Sequence, residues 1–244
     1  MYVYIYDQII NSKNYQSLTA KIETRLTDLG LNGKIVRLNP MHNLERTIKD
    51  EVKSNCTIVL VGNDSLINSA FGILKGLDVT IGIIPIGKNG NNLARTYGIN
   101  SEMEACNILA ARKIAHLDLG VANNSVFLNH LSIKSSKSFI ESADNLTLET
   151  NSPSIITIKC LSSTEDYGAS ISNDSHRLQL TINSSIKNHY LSKPTTSTTS
   201  IISSKFLING NFSATLDDCI TLSAPITVSV LKNGAKIIIG RYRL

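Results

Sequence analysis

Two short segments concentrate the residue types that could handle a phosphate. Gly62-Asn63-Asp64-Ser65 follows the apolar run 57–61 and precedes a helix expected from about Leu66. Glycine there permits close backbone approach, Asp64 or Ser65 can cap the helix, and its first-turn N–H groups face outward. Gly87-Lys88-Asn89-Gly90-Asn91-Asn92 follows a second apolar run, 79–84, and precedes a short helix expected over about 92–97. It is flexible, rich in donors and cationic. Side by side the loops suit a nucleotide, which makes Gly62, Asn63, Asp64, Ser65, Gly87, Lys88, Asn89, Gly90 and Asn91 the expected binding residues. An ordinary strand-to-helix turn with an Asx cap is the plain alternative for the first loop.

Other constellations fall away. Gly82 to Lys88 has the spacing of a P-loop as far as its lysine, but Asn89 stands where Ser or Thr should hold magnesium, and the intervening residues form an apolar strand. No G-x-G-x-x-G follows any expected strand. Cys56, Cys106, Cys160 and Cys219 form no C-x-x-C pair, and the five histidines share no helical ligand spacing, so the thiols are expected reduced and mostly buried.

The elements that must position these loops divide the chain in two. Up to about residue 115, strands expected at 2–6, 34–38, 57–61 and 79–84 alternate with helices at 15–29, 43–54 and 66–76. Runs apolar on both faces and separated by helices imply a doubly wound parallel α/β domain, residues 1–115, whose ligands bind beyond the carboxyl ends of the strands. From 116 to 244 short runs rich in Ser, Thr, Ile and Val imply an antiparallel β-sandwich: 125–133, 155–162, 177–183, 201–208, 213–222, 226–231 and 235–243. The biased stretch 192–204 is expected to open as an exposed loop.

With 244 residues, 42% of them hydrophobic and 18% charged, the chain is long and apolar enough for two globular domains, and disulfide scaffolds and disordered tails are excluded. The net charge of +5 is spread over both halves, with 13 basic against 10 acidic residues up to 115 and 11 against 9 beyond, and no basic run exceeds two residues. That pattern argues against a nucleic-acid partner and suits small anions or acidic headgroups. No stretch is long and apolar enough for a membrane span or signal peptide, so a cytoplasmic protein is expected.

The loops resemble the diacylglycerol kinase catalytic-domain family of lipid kinases. The family pattern G-G-D-G-T-[IL]-N-E is similar to Gly62 through Ser69, and G-I-I-P-x-G-T-G-N-D-F-A-R-x-x-G-I to Gly82 through Ile99, with one extra loop residue and Asn92 in place of Asp. His116-Leu117-Asp118-Leu119-Gly120 resembles the family's crossover into its second domain, and Leu216-Asp217-Asp218-Cys219 its L-D-G-E motif.

That resemblance implies a phosphofructokinase-like domain followed by a β-sandwich, with ATP and Mg2+ as cofactors. It places Asp64 and Asp118 at the metal, Asp64 and Asp217 in catalysis, Lys88 against phosphate charge, and a lipid hydroxyl beside Asp217 in an interdomain cleft. The missing acidic residue at Cys219, and the missing N-P-x-S-G turn replaced by 7–15 with Ser12 and Lys13, keep a second reading open: a catalytically impaired nucleotide- or lipid-binding relative. An NAD kinase is a third, and Ser69 departs from the Asn-Glu pair it expects. Transient contact with the inner membrane surface is expected of a lipid kinase, and exposed edge strands permit a homodimer.

Overall fold

The run Thr57–Gly62 is buried at every position, with Ile58, Val59, Leu60 and Val61 wholly inaccessible. Each such side chain contributes about 1.5–3 kcal/mol relative to exposure, and a strand apolar on both faces must lie inside a sheet covered on both sides. The computed structural model describes residues 1–53, 55–87, 90–161, 176–186 and 195–240. They form two units, one of residues 1–117 and 233–244 and the other of residues 118–232.

In the first unit β1 (Tyr2–Tyr6), α1 (Gln16–Asp28), β2 (Gly33–Arg37), α2 (Leu44–Glu51), β3 (Thr57–Gly62), α3 (Asp64–Leu74) and β4 (Thr80–Pro85) follow in turn, then α4 (Asn92–Thr96) and α5 (Glu102–Ala111). The sheet order is β2-β1-β3-β4, all parallel. Gly30, at φ +70, ends α1 in the left-handed conformation that favours glycine after a helix. The Tyr4 hydroxyl donates to the Leu31 carbonyl at 2.6 Å. Tyr6, equally buried, has a hydroxyl with no partner among the described residues.

The sequence pattern leaves α5 unassigned, and its buried residues, Ala105, Cys106 and Leu109, give only a short apolar stripe. It also assigns the whole C-terminal stretch to the second domain. In the structure the end of that stretch belongs to the first unit: Lys236 and Ile237 pair in parallel with Thr80 and Ile81 of β4, and the Ile239 N–H donates to the Lys113 carbonyl.

The second unit is an antiparallel β-sandwich. It is entered by β5 (Ile114–Ala122) and continues through β6 (Ser125–Phe127), β7 (Leu131–Ser135), β8 (Ser138–Ser142), β9 (Thr147–Thr150), β10 (Ser154–Leu161), β11 (Arg177–Ile186), β12 (Thr195–Ser203), β13 (Lys205–Gly210), β14 (Ser213–Leu216), β15 (Ile220–Ser223) and β16 (Ile226–Ile238). One sheet runs β12-β11-β10-β7-β14-β15. The other pairs the first half of β16 with β13, then β8 and β9. Alternation does the work in β10, where Ile156 and Ile158 point inward and Ile155 and Lys159 outward. The core includes Phe127, Leu131, Leu178, Leu180, Phe206 and Val228.

Several runs that read as single strands are divided. The run 201–208 breaks at Ser204 into β12 and β13, and 213–222 breaks into the β14–β15 hairpin. The run 226–231 and the start of the run 235–243 join as β16, which ends at Ile238; residues 241–243 lie outside the described residues. Of the opening part of 192–204, expected as a loop, residues 192–194 lie outside the described residues and the rest forms β12 from Thr195 onward, since Thr and Ser on a pleated surface satisfy their backbone through β11.

Candidate active site

The two glycine-bearing loops leave adjacent parallel strands at their carboxyl ends. Gly62 pairs with Pro85, and the Ile86 N–H donates to the Gly62 carbonyl at 2.9 Å. A methyl group on Gly62 would lie 2.7 Å from Leu66 Cδ2 and 2.9 Å from Asp7 Cβ, so the chain turns there only because the side chain is absent. Asn63, which the sequence does not single out as a cap, is the N-cap of α3, its Oδ1 accepting from Ser65 N and Leu66 N at 3.1 and 3.3 Å. The cap expected at Asp64 or Ser65 is therefore one residue earlier, because Asn63 alone keeps the extended backbone of a cap position.

Asp64 does something else. Its N–H donates to the Gly90 carbonyl at 2.7 Å, and its carboxylate accepts from Asn92 N at 2.7 Å and Leu93 N at 3.1 Å. The buried carboxylate thus caps α4 and clasps the first loop to the second. In the second loop Gly90 takes φ +76, and Asn91 Nδ2 donates to the Gly87 carbonyl at 2.6 Å. Asn91 Oδ1 is buried with no partner among the described residues, as are both amide atoms of Asn68 on α3. Lys88 and Asn89 lie outside the described residues. The expected phosphate donors Ser65 N and Leu66 N are committed to Asn63. Ser12 and Lys13 lie where two single 3-10 turns meet, in the segment after β1.

In the second unit Asp217 is not part of an extended strand. Asp217 and Asp218 have φ +46 and +59, and the Cys219 N–H returns to the Leu216 carbonyl at 2.9 Å, which makes a two-residue hairpin turn of the primed kind between β14 and β15. The shared face expected for Asp217 and Cys219 therefore does not exist. The Asp217 carboxylate folds back onto residues 128–130: Oδ2 accepts from Leu128 N at 2.7 Å, and Oδ1 from Asn129 N and His130 N, both at 2.8 Å. Burial pushes its pKa up, against the pull of these three donors and of the His130 ring. Cys219 itself is exposed.

Asp118, at the start of the second unit, has a carboxylate that is only 4% exposed and lies 2.5 Å from His176 Nδ1. Sequence reasoning misses this partner. His176 stands 58 positions away with no neighbouring motif, and only its place just ahead of the alternating run 177–183 could have marked it as reaching the sheet's end. Cys160 lies within the electrostatic reach of Asp118 and Asp217, and burial foremost pushes its thiol pKa up to about 12.

A magnesium ion held mainly by the protein does not fit these residues. Among the described residues no three His, Cys, Asp or Glu side chains group to hold a metal ion. Asp64, expected as a ligand, has backbone N–H donors on both oxygens, and Asp118 is engaged by an imidazole. The clasped loops hold one buried polar atom without a partner among the described residues, Asn91 Oδ1, which suits a ligand's hydroxyl or amino group.

Residues 2–122 match the diacylglycerol kinase catalytic domain. Among solved structures, two of a "putative diacylglycerol kinase" from Bacillus anthracis str. Sterne are similar at TM-scores of 0.76 and 0.74, with 13% and 14% identity. A third, of a diacylglycerol kinase from the same organism, has a TM-score of 0.74 and 15% identity. In each case 100% of this chain and 98% of the other are covered. At that identity the likeness is one of fold. A search of curated proteins finds no match.

Proposed function

We propose that this chain, which belongs to the diacylglycerol kinase catalytic-domain family through residues 2–122, is an ATP-dependent lipid kinase that transfers the γ-phosphoryl group to a lipid hydroxyl. The observation that carries the reading is the Asp64 clasp. A carboxylate reaching from the first loop to the start of α4 joins two glycine-bearing loops at the carboxyl ends of neighbouring parallel strands, where α/β sheets bind their ligands.

The clasp fixes what the loops can do. Phosphoryl transfer depends mostly on holding the donor in line and matching its charge with preorganised dipoles. Gly62 and Gly90 let backbone approach the phosphates, and Asn91 Oδ1 offers a buried acceptor to a donor on the nucleotide. Lys88, between them in sequence, supplies the cation. Magnesium is part of the family's usual chemistry, but the roles assigned here belong to the chain's own residues. The net charge of +5 supports transient contact with an anionic membrane surface carrying the acceptor.

Thermal unfolding of the purified chain in rising ATP tests the nucleotide half of the proposal, since a ligand that binds only the native state raises the apparent stability. A saturable upward shift with ATP and ADP is expected. No shift at millimolar nucleotide, with and without magnesium, would overturn it.

The catalytically impaired reading is favoured by one observation: Asp217 is spent on three backbone N–H groups and the neighbouring acidic position is Cys219. It predicts nucleotide binding without transfer.

A further inference from the structure

We propose that the second unit carries a binding site of its own for an anionic single-chain lipid, in the cavity where β7 ends and β10 begins. The site lies within that unit alone, so it stands whether or not the chain transfers phosphate. The cavity measures about 630 Å³, within the range of about 300–1,000 Å³ usual for small-molecule sites. Two successive rungs of the β7-β10-β11 ladder line it, Lys134-Ile155-Asn183 and Ser135-Ser154-Ser184. On the side of the sheet that bears Ser135, Ser154 and Ser184, the next residues along are the buried Ile133, Ile156 and Ile182. The drop in side-chain size from Ile to Ser at the end of the sheet helps leave the space open.

The chemistry of the walls selects the occupant. Ile155 belongs to a central strand, with β7 on one side and β11 on the other, yet it is 46% exposed. The polar groups beside it are already paired. Ser135 Oγ donates to the Lys137 carbonyl and Ser154 Oγ to the Ser152 carbonyl, both at 2.8 Å; Ser184 Oγ lies 2.8 Å from Ser154 Oγ, and Asn183 Oδ1 accepts from Thr198 Oγ1 at 2.8 Å. The backbone of β10 is likewise taken up by ladders on both sides. A peptide laid here would bury N–H and C=O groups with few partners to meet them, whereas a hydrocarbon chain brings none.

Charge decides the head group. Lys134 is the one charged side chain among the described residues that line the cavity, and it has no acidic partner among them. Lys137, three positions on, is by contrast held by Glu149 at 3.7 Å. An exposed cation without a counter-charge beside apolar walls complements a phosphate or carboxylate head, and its methylene stem extends the surface offered to the chain.

The test is equilibrium dialysis of the full chain against radiolabelled dodecyl phosphate, kept below its micelle concentration. Saturable binding of one molecule per chain is expected, undisturbed by excess ATP or inorganic phosphate, with weaker binding of the neutral dodecyl maltoside. Lys134→Glu should weaken binding about tenfold, because an attraction becomes a repulsion, and Lys134→Arg should retain it. Ile155→Asp should abolish it, and Ile155→Ala, which serves if the aspartate variant unfolds, should weaken it. All four variants should leave the thermal response to ATP unchanged. No saturable binding, displacement by ATP, equal affinity for dodecyl maltoside, or binding unchanged in Lys134→Glu or Ile155→Asp would each overturn the site. Binding to phosphatidylglycerol vesicles without binding of monomeric dodecyl phosphate would assign this face to a membrane surface, and dimerisation that Ile155→Asp abolishes would assign it to a second copy of the chain. Either result overturns the single-chain ligand, and none of these outcomes bears on the kinase reading, which label transfer tests separately.

Discussion

Asp64 and Asn92 are joined by a 2.7 Å hydrogen bond, the carboxylate of one accepting the backbone N–H of the other across 28 positions of sequence. With Leu93 as second donor, this places the negative end of a buried side chain against the start of α4, where both capping and the helix dipole favour it. The order of the second loop depends on a residue of the first.

Asp64→Ala therefore acts on stability and affinity together. Two N–H groups, that of Leu93 buried, lose a charged acceptor, which costs about 1–3 kcal/mol, and the loops are no longer clasped. Chemical denaturation should show the loss, and the ATP-dependent thermal shift should shrink. A variant of wild-type stability and unchanged nucleotide affinity would show that the clasp has no role in either.

Tyr4 and Tyr6 make a matched pair for separating a satisfied from an orphaned hydroxyl. Tyr4→Phe removes the 2.6 Å bond to the Leu31 carbonyl and is expected to cost about 1 kcal/mol. Tyr6→Phe removes a buried hydroxyl with no partner among the described residues and should be neutral or stabilising. Equal destabilisation of both variants would contradict this assignment.

Thiol labelling checks the arrangement around Asp118. Cys219 is exposed and should be alkylated first, whereas Cys56 and Cys106 are buried. Cys160, whose thiol burial pushes up to about 12, should stay unreactive through pH 9 in the native chain. Rapid labelling of Cys160 at pH 8 would show that its surroundings are wetter than described.

The raised pKa of Asp217 carries a sign. An acid whose folded pKa lies above its unfolded value binds more protons when folded across the interval between them, so its contribution to stability falls as pH rises through that interval. Relative to Asp217→Asn, which does not titrate, the wild type should gain stability as pH is lowered from neutrality through the raised value towards the ordinary carboxylate range. A difference that moves the opposite way would mean that the donors at Leu128, Asn129 and His130 outweigh burial.

The parallel half was legible because its signal is local: runs such as Ile58 to Val61 can be stable only inside a covered sheet. The sandwich was legible as a class but not strand by strand. Ser and Thr at 195–200 read as a loop because they carry little apolar alternation, and β11 supplies the missing information through hydrogen bonding. The short strands Ser138–Ser142 and Thr147–Thr150 escaped for the same reason. The loop that carries Gly62 and Asp64 was legible from its place after an apolar run, but the bonds from Asp64 to Asn92 and Leu93 were not. Asp217 was legible as a residue but not as a turn, since the left-handed pair it makes with Asp218 is fixed by the β14–β15 hairpin. His176 was not legible at all, because its meaning depends on Asp118, brought to it by strands distant in sequence.

The most direct test of the central proposal is transfer of labelled γ-phosphate from ATP to a lipid panel by the purified full-length chain. The expected result is a labelled lipid phosphate from at least one acceptor, formed only with ATP as donor. Nucleotide binding without labelled lipid from any diacylglycerol, sphingoid base or related alcohol would contradict it and identify the chain as a non-catalytic member of its family.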